Sequence, residues 1–163
     1  MKEPEIITLK ERKLVGMKIR TSLSENKTFE LWSAFKSRIT EVKNRKNSDF
    51  YSVEIFDEVL AFDQFTPQTF FEKWSAVEVH TVEDIPDGFD LFTLPSGKYA
   101  RFIHKGPAST FPKTSAYMFG EWLPNSEYRL GSRPHFEIMD KNYQPDSSTA
   151  EEEIYIPIQM KDR

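Results

Sequence analysis

Acidic and aromatic side chains alternate with apolar ones in several segments whose composition predicts β-strands. Residues two apart on a strand share a face. In the closing segment Glu151–Met160 the three isoleucines therefore share one face, and Glu153 and Tyr155 share the other with Glu151. An isoleucine row is typical of the face that packs against helices, so we expect the acids and the phenol to point away from the helices.

The same alternation assigns faces in three further predicted strands. The residues predicted to face the helices are Val53, Ile55, Val77, Val79, Phe136 and Ile138. The residues predicted on the opposite face, together with Glu153 and Tyr155, are Glu54, Phe56, Trp74, Glu78, Glu137 and Met139. Rings supply flat apolar surface and cation–π attraction, and carboxylates supply countercharge, so this face could receive a cationic or polar aromatic molecule. The alternative is an ordinary solvated sheet face.

The order of predicted elements repeats along the chain. Apolar residues at spacings of three and four predict a helix over 28–43, and a second helix is expected over 110–123. Each helix lies within a strand, helix, strand, strand order, and SVEIF (52–56) aligns with HFEIM (135–139) so that Glu54 matches Glu137. We therefore predict one α+β domain spanning 1–163, built from a duplicated βαββ unit with pseudo-repeats at about 5–82 and 97–160. Its antiparallel sheet should carry both helices on one side and a ligand cleft on its concave face.

Composition excludes several classes of protein. The net charge is −4, which disfavours a nucleic-acid surface because such surfaces need basic residues against phosphates. The absence of cysteine excludes disulfides, thiolate nucleophiles and cysteine zinc sites. The three histidines lack metal-ligand spacing, and we find no phosphate-binding glycine loop, so we expect neither metal nor cofactor. With no secretion signal and no apolar stretch of membrane-spanning length, we expect a cytoplasmic protein that does not contact membranes.

Four segments in order resemble one family. LPSGKYARFIHKG, EWLPNSEY, RPHFEIMD and EEEIYIPI are together similar to the gyrase-inhibitory-protein-like (GyrI-like) effector-binding superfamily, which includes the drug-binding halves of AraC-type and MerR-type regulators. The resemblance implies a duplicated βαββ fold with a ligand cleft. It also implies that Glu137, Glu153 and Tyr155 line that cleft, and face parity adds Trp74 and Phe56. The chain resembles the stand-alone members rather than those that carry a DNA-binding module.

Three functions follow from these observations. The first is a binding protein for small amphipathic molecules, including cationic aromatic ones, in a cleft of carboxylates and rings. The second is a small-molecule hydrolase in which Glu153 or Glu137, with Tyr155, acts as general acid or base, since a desolvated carboxyl has a raised pKa. The third, implied by the resemblance alone, is a modulator of a protein partner such as a topoisomerase. The sequence leaves open whether Tyr99 or Phe102 faces the cleft.

Overall fold

The described residues, 2–57 and 64–162 of this computed structural model, form nine strands and two principal helices. The strands are β1 (Glu5–Leu9), β2 (Arg12–Thr21), β3 (Phe50–Ile55), β4 (Phe71–Glu78), β5 (Asp90–Leu94), β6 (Gly97–Lys105), β7 (Tyr128–Leu130), β8 (His135–Met139) and β9 (Glu151–Met160). The helices are α1 (Thr28–Ser37) and α2 (Phe111–Tyr117), and α2 continues through a π-helical turn (Met118–Trp122) into a last helical turn (Leu123–Asn125). Within the described ranges, none of these helices is long and apolar enough to cross a bilayer.

The strand order is symmetric about the centre of the sheet. The order is β1-β6-β9-β8-β3-β4-β2-β5, with β7 paired to β9, and the pairings between the described strands are antiparallel. The unit β2-α1-β3-β4 and the unit β6-α2-β8-β9 occupy equivalent positions on either side of the β3–β8 pair. The predicted α+β class and antiparallel sheet are confirmed, while the exact bounds of the two repeats stay a prediction.

Two short connections force the sheet to curl. Only residues 10 and 11 join β1 to β2, and only residues 95 and 96 join β5 to β6, although each pair of strands lies far apart in the strand order. Such a link spans at most roughly 10 Å, so the two ends of the sheet must approach each other. The face opposite the helices, called the inner face below, is therefore wrapped by the sheet itself.

The inner face is packed with large rings. Tyr51, Tyr99 and Phe136 are almost completely buried there, and Phe136 stacks on Tyr155 with ring centroids 4.5 Å apart. No helix within the described ranges packs against these residues, so their burial follows from the curl of the sheet. Of the two aromatic residues of β6, Tyr99 therefore points to the inner face, while Phe102 packs under α2. The inside of the curl is a filled core.

The helix face carries two separate apolar clusters. Under α1, Phe35 packs with Val15, Val77 and Val79, and under α2 the isoleucines of β9 pack with Phe102 and Met118. The prediction for the isoleucine row of β9 is confirmed. Phe29, an apolar residue near the start of the predicted helix over 28–43, does not pack into this cluster and is 83% exposed. In α1 the buried residues are Leu31 and Phe35, one turn apart, and Phe29 lies on the other side of the helix.

The predicted faces of β3 and β8 are reversed in the structure. Val53 pairs with both Trp74 and Phe136, and Phe136 pairs with Tyr155, which places the apolar residues of both central strands on the inner face. Ser52 pairs with Glu137, and Glu137 pairs with Ile154, so Glu137 lies on the helix face. The reason is the curl: the central strands lie between the two helices, and their apolar side chains fill the inner face instead.

Candidate functional site

On the helix face, β3 and β8 lie between the part of the sheet that packs against α1 and the part that packs against α2, and we call this strip the helix-side groove. Where an apolar row would be expected, this helix-side groove carries ionisable side chains from four neighbouring strands. They are Glu54 on β3, Lys73 on β4, His135 and Glu137 on β8, and Glu152 on β9. All five are half-buried, which places them within the fold yet in contact with solvent.

Glu54 and Lys73 form the ion pair of the groove. They face each other across β3 and β4, with Nζ of Lys73 3.4 Å from Oε2 of Glu54 and both side chains 14% exposed. The Ser52 hydroxyl also donates to Oε2 of Glu54 at 3.1 Å. Burial alone would lower the pKa of Lys73, but the carboxylates of Glu54 and Glu137 outweigh it and hold that pKa above its ordinary value. Lys73 is therefore a fixed cation that neutralises one of the three acids.

The other two acids, Glu137 and Glu152, have raised pKa values and therefore keep their protons to a higher pH than an exposed glutamate does. Burial raises the pKa of Glu137 well above its ordinary value, and the adjacent charge of Glu54 and a hydrogen bond to it act in the same direction. Burial and the charge of Glu54 also raise the pKa of Glu152 to about 7. Bound protons thus offset part of the excess negative charge of the groove. Perturbed pKa values cluster at functional sites, which makes this strip of the sheet a candidate site.

Aromatic rings close one end of the groove around His135. The Phe56 ring meets the imidazole edge to face with ring centroids 5.0 Å apart, and the centroid of the Phe119 ring lies 6.2 Å from that of the imidazole. Phe65 and Phe71 extend the same cluster, each within 6 Å of Phe56. Burial lowers the pKa of His135 to about 4, so its ring is neutral at physiological pH. This end offers apolar and π surface beside the carboxylates.

A tyrosine from the loop after β8 lies at the acidic part of the groove. Burial raises the pKa of Tyr143 to about 12, and the charges of Glu152 and Glu137 add to the effect. Its phenol therefore keeps its proton and can act as a hydrogen-bond donor.

The five residues predicted as one site lie in three places. Glu137 and Phe56 are in the helix-side groove. Glu153 and Tyr155 line a polar pocket on the inner face, where Arg101 Nε donates to Glu153 Oε1 at 2.8 Å. Trp74 is 3% exposed in the inner core, and its indole N–H donates to Glu72 at 2.8 Å. The prediction that all five share one face is wrong, because the faces of β3 and β8 are reversed.

Sequence reasoning missed part of the groove. Lys73, His135, Glu152 and Tyr143 were not predicted as site residues, although the alignment of the two halves had paired Glu54 with Glu137. That pairing was a usable signal, because equivalent positions of a duplicated unit meet where the two central strands pair. The choice between Glu152 and Glu153 could not be made from an unbroken run of three acids.

Comparisons with known proteins agree with the fold. The model of the GyrI-like small molecule binding domain family matches residues 2–159. The transcriptional regulator BrlR of Pseudomonas aeruginosa (strain PAO1) is 25% identical over 146 residues, and the match covers 89% of this chain and 51% of BrlR. The chain therefore spans about half the length of this curated relative.

Two solved structures have similar folds over nearly their whole length. SAV2435 bound to tetraphenylphosphonium superposes with a TM-score of 0.73 at 17% identity, covering 97% of this chain and 94% of SAV2435. The EcmrR C-terminal domain gives a TM-score of 0.75 at 13% identity, with 98% of each chain covered. At these identities the likeness shows the fold.

Proposed function

Since the chain belongs to the GyrI-like small-molecule-binding domain family, we propose that it binds a small amphipathic organic cation with aromatic groups in the helix-side groove. The observation that carries the proposal is the charge imbalance of the groove. Glu54, Glu137 and Glu152 are three half-buried carboxyl groups, and Lys73 is the single basic side chain paired with them within the described part of the chain.

The imbalance favours a cation because charges buried without partners are costly. Protons that Glu137 and Glu152 retain through their raised pKa values lower that cost when no cation is bound. A bound cation can take the place of these protons, since its charge stabilises the ionised carboxylates it approaches. A neutral guest of the same shape gains no such electrostatic stabilisation. Charge therefore discriminates between guests of equal size.

The aromatic end of the groove supports the second part of the proposal. Phe56 and Phe119 flank His135, and their ring faces can contact aromatic groups of a guest or its positive charge. His135 does not repel a cation, because its lowered pKa keeps it neutral. SAV2435, which shares the fold, was solved with tetraphenylphosphonium, an aromatic cation.

Calorimetric titration with matched ligands tests the proposal. Tetraphenylphosphonium should bind, and the uncharged triphenylphosphine oxide should bind at least tenfold more weakly. Glu137→Gln keeps the shape of the protonated side chain but cannot ionise. It should therefore weaken binding of the cation by on the order of tenfold, which corresponds to about 1.4 kcal/mol. Glu151→Gln, which changes a side chain that is 58% exposed, is the matched control and should bind as the parent does. Equal binding of the two ligands, or unchanged affinity in Glu137→Gln, contradicts the proposal.

A further inference from the structure

A second cavity, of about 310 Å³, opens on the inner face at the end of the curled sheet. It is separate from the helix-side groove, because the sheet itself lies between them. We call it the mouth pocket, and its lining includes Arg12, Lys46, Asp49, Tyr51, Glu78 and Glu153. Charges of both signs line it, in contrast to the acidic groove. Nothing in the proposed function uses it.

The positive side of the mouth pocket is built on a fixed arginine. Nη1 of Arg12 donates to the hydroxyl of Tyr51 at 2.7 Å, and Tyr51 is only 1% exposed. That hydroxyl in turn donates to Glu78 Oε1 at 3.3 Å, and Lys46 Nζ lies 3.6 Å from Oε2 of the same carboxylate. Among residues 2–57 and 64–162, Arg12 itself forms no ion pair. Its guanidinium is oriented by a neutral phenol and remains available to an anionic group.

The negative side is built from two carboxylates. Glu153 is paired with Arg101, but Asp49 forms no ion pair with any described residue. Burial raises the pKa of Asp49, and the nearby charges of Glu153 and Asp140 add to this, while the charge of Arg45 offsets part of it. A positive group placed between Asp49 and Glu153 would relieve that repulsion. The lining of this one small cavity thus includes a guanidinium, that of Arg12, and a carboxylate, that of Asp49, that form no ion pair with any described residue.

From this arrangement we propose that the mouth pocket binds a small zwitterion of the α-amino-acid type. Its carboxylate pairs with Arg12, its ammonium lies against Asp49 and Glu153, and Tyr155 and Ile138 contact its side chain. A cavity of 310 Å³ is at the lower end of the range for ligand sites, which suits a single amino acid. A molecule with only one of the two charges leaves one side of the pocket unsatisfied.

Titration of the twenty free amino acids, followed by NMR shifts of the Tyr51 and Tyr155 rings, tests the proposal. At least one amino acid should bind at or below roughly 10 mM. Its N-acetyl derivative, which lacks the ammonium, and its amide, which lacks the carboxylate, should each bind at least tenfold more weakly. If no amino acid binds, or if either derivative binds as tightly as its parent, the proposal is overturned.

Variants separate this pocket from the groove. Arg12→Gln and Asp49→Asn should each lower the affinity for the amino acid by about tenfold or more. Arg12→Lys keeps the positive charge and should lower that affinity less than Arg12→Gln does. Arg129→Gln, an exposed arginine paired with Asp162, is the control and should bind normally. Glu137→Gln and saturating tetraphenylphosphonium should both leave amino-acid binding unchanged. Binding in the mouth pocket can therefore be tested whether or not the helix-side groove binds a cation. Unchanged binding in Arg12→Gln overturns the pocket proposal.

Discussion

Replacing Glu152 by glutamine should stabilise the protein, and by an amount that depends on pH. Glu152 is half-buried in the helix-side groove, and burial together with the charge of Glu54 raises its pKa from 4.5 to about 7. The folded state therefore holds a proton between these values that the unfolded state releases. Stability contributed by that proton is present below pH 4.5 and is lost as pH rises towards 7.

The magnitude follows from the size of the pKa change. Each tenfold change in acidity is worth about 1.4 kcal/mol, so ionised Glu152 destabilises the fold by about 3 kcal/mol at pH 8. Glutamine cannot ionise. The difference in free energy of unfolding between Glu152→Gln and the parent should thus grow by about 2.5 kcal/mol between pH 5 and pH 8.

Urea unfolding at a series of pH values measures this difference directly. The exposed neighbour Glu151 provides the control, because Glu151→Gln alters one ion pair with Lys105 on the surface and should change stability by less than about 1 kcal/mol at every pH. If the stability curves of Glu152→Gln and the parent run parallel from pH 5 to pH 8, Glu152 is not desolvated and the electrostatic description of the groove is wrong.

Three other outcomes follow from the same structure. The affinity for tetraphenylphosphonium should rise up to tenfold between pH 6 and pH 8 as Glu152 loses its proton. Calorimetry on Glu152→Gln should show a smaller rise, because Glu137 alone then releases a proton to the cation, and an affinity of the parent that falls with pH would contradict this. Phe136→Ala should cost about 3–5 kcal/mol in urea unfolding, because Phe136 is fully buried and stacked on Tyr155, and a loss below about 1 kcal/mol would show that the inner face is loosely packed. Trp74→Phe should lower stability by about 1 kcal/mol through the lost hydrogen bond to Glu72 yet leave cation affinity unchanged, and weaker cation binding would place Trp74 in the site after all.

Strand alternation predicted much of the fold because it identifies the residues that share a face. It grouped Ile154 with Ile156 correctly, and it grouped Val53 with Ile55 correctly as well. Alternation does not say which of two faces meets the helices. Where only one face is apolar the choice is simple, as in β9. In β3 and β8 the apolar side chains fill the inside of the curl, and that depends on long-range pairing that no local pattern contains.

The strand β5 (Asp90–Leu94) lies outside both predicted repeats, at about 5–82 and 97–160. Gly88 and Pro95 flank it, and such residues are typical of turns. Yet β5 pairs with β2 as β1 pairs with β6, and these edge pairings complete the curl. The acidic groove could be predicted only in part, from the match between Glu54 and Glu137. Lys73 and His135 carried no signal, because a single lysine or histidine on a strand is ordinary until its neighbours are known.

The central claim is that an organic cation binds on the helix face of β8 and not on its inner face. Ile138 and Met139 are adjacent on that strand and point to opposite faces, so their methyl groups report the two sides separately. Intermolecular NOEs measured with tetraphenylphosphonium should connect its phenyl protons to the methyl of Met139 and not to the methyls of Ile138. NOEs to Ile138 with none to Met139 would contradict the account.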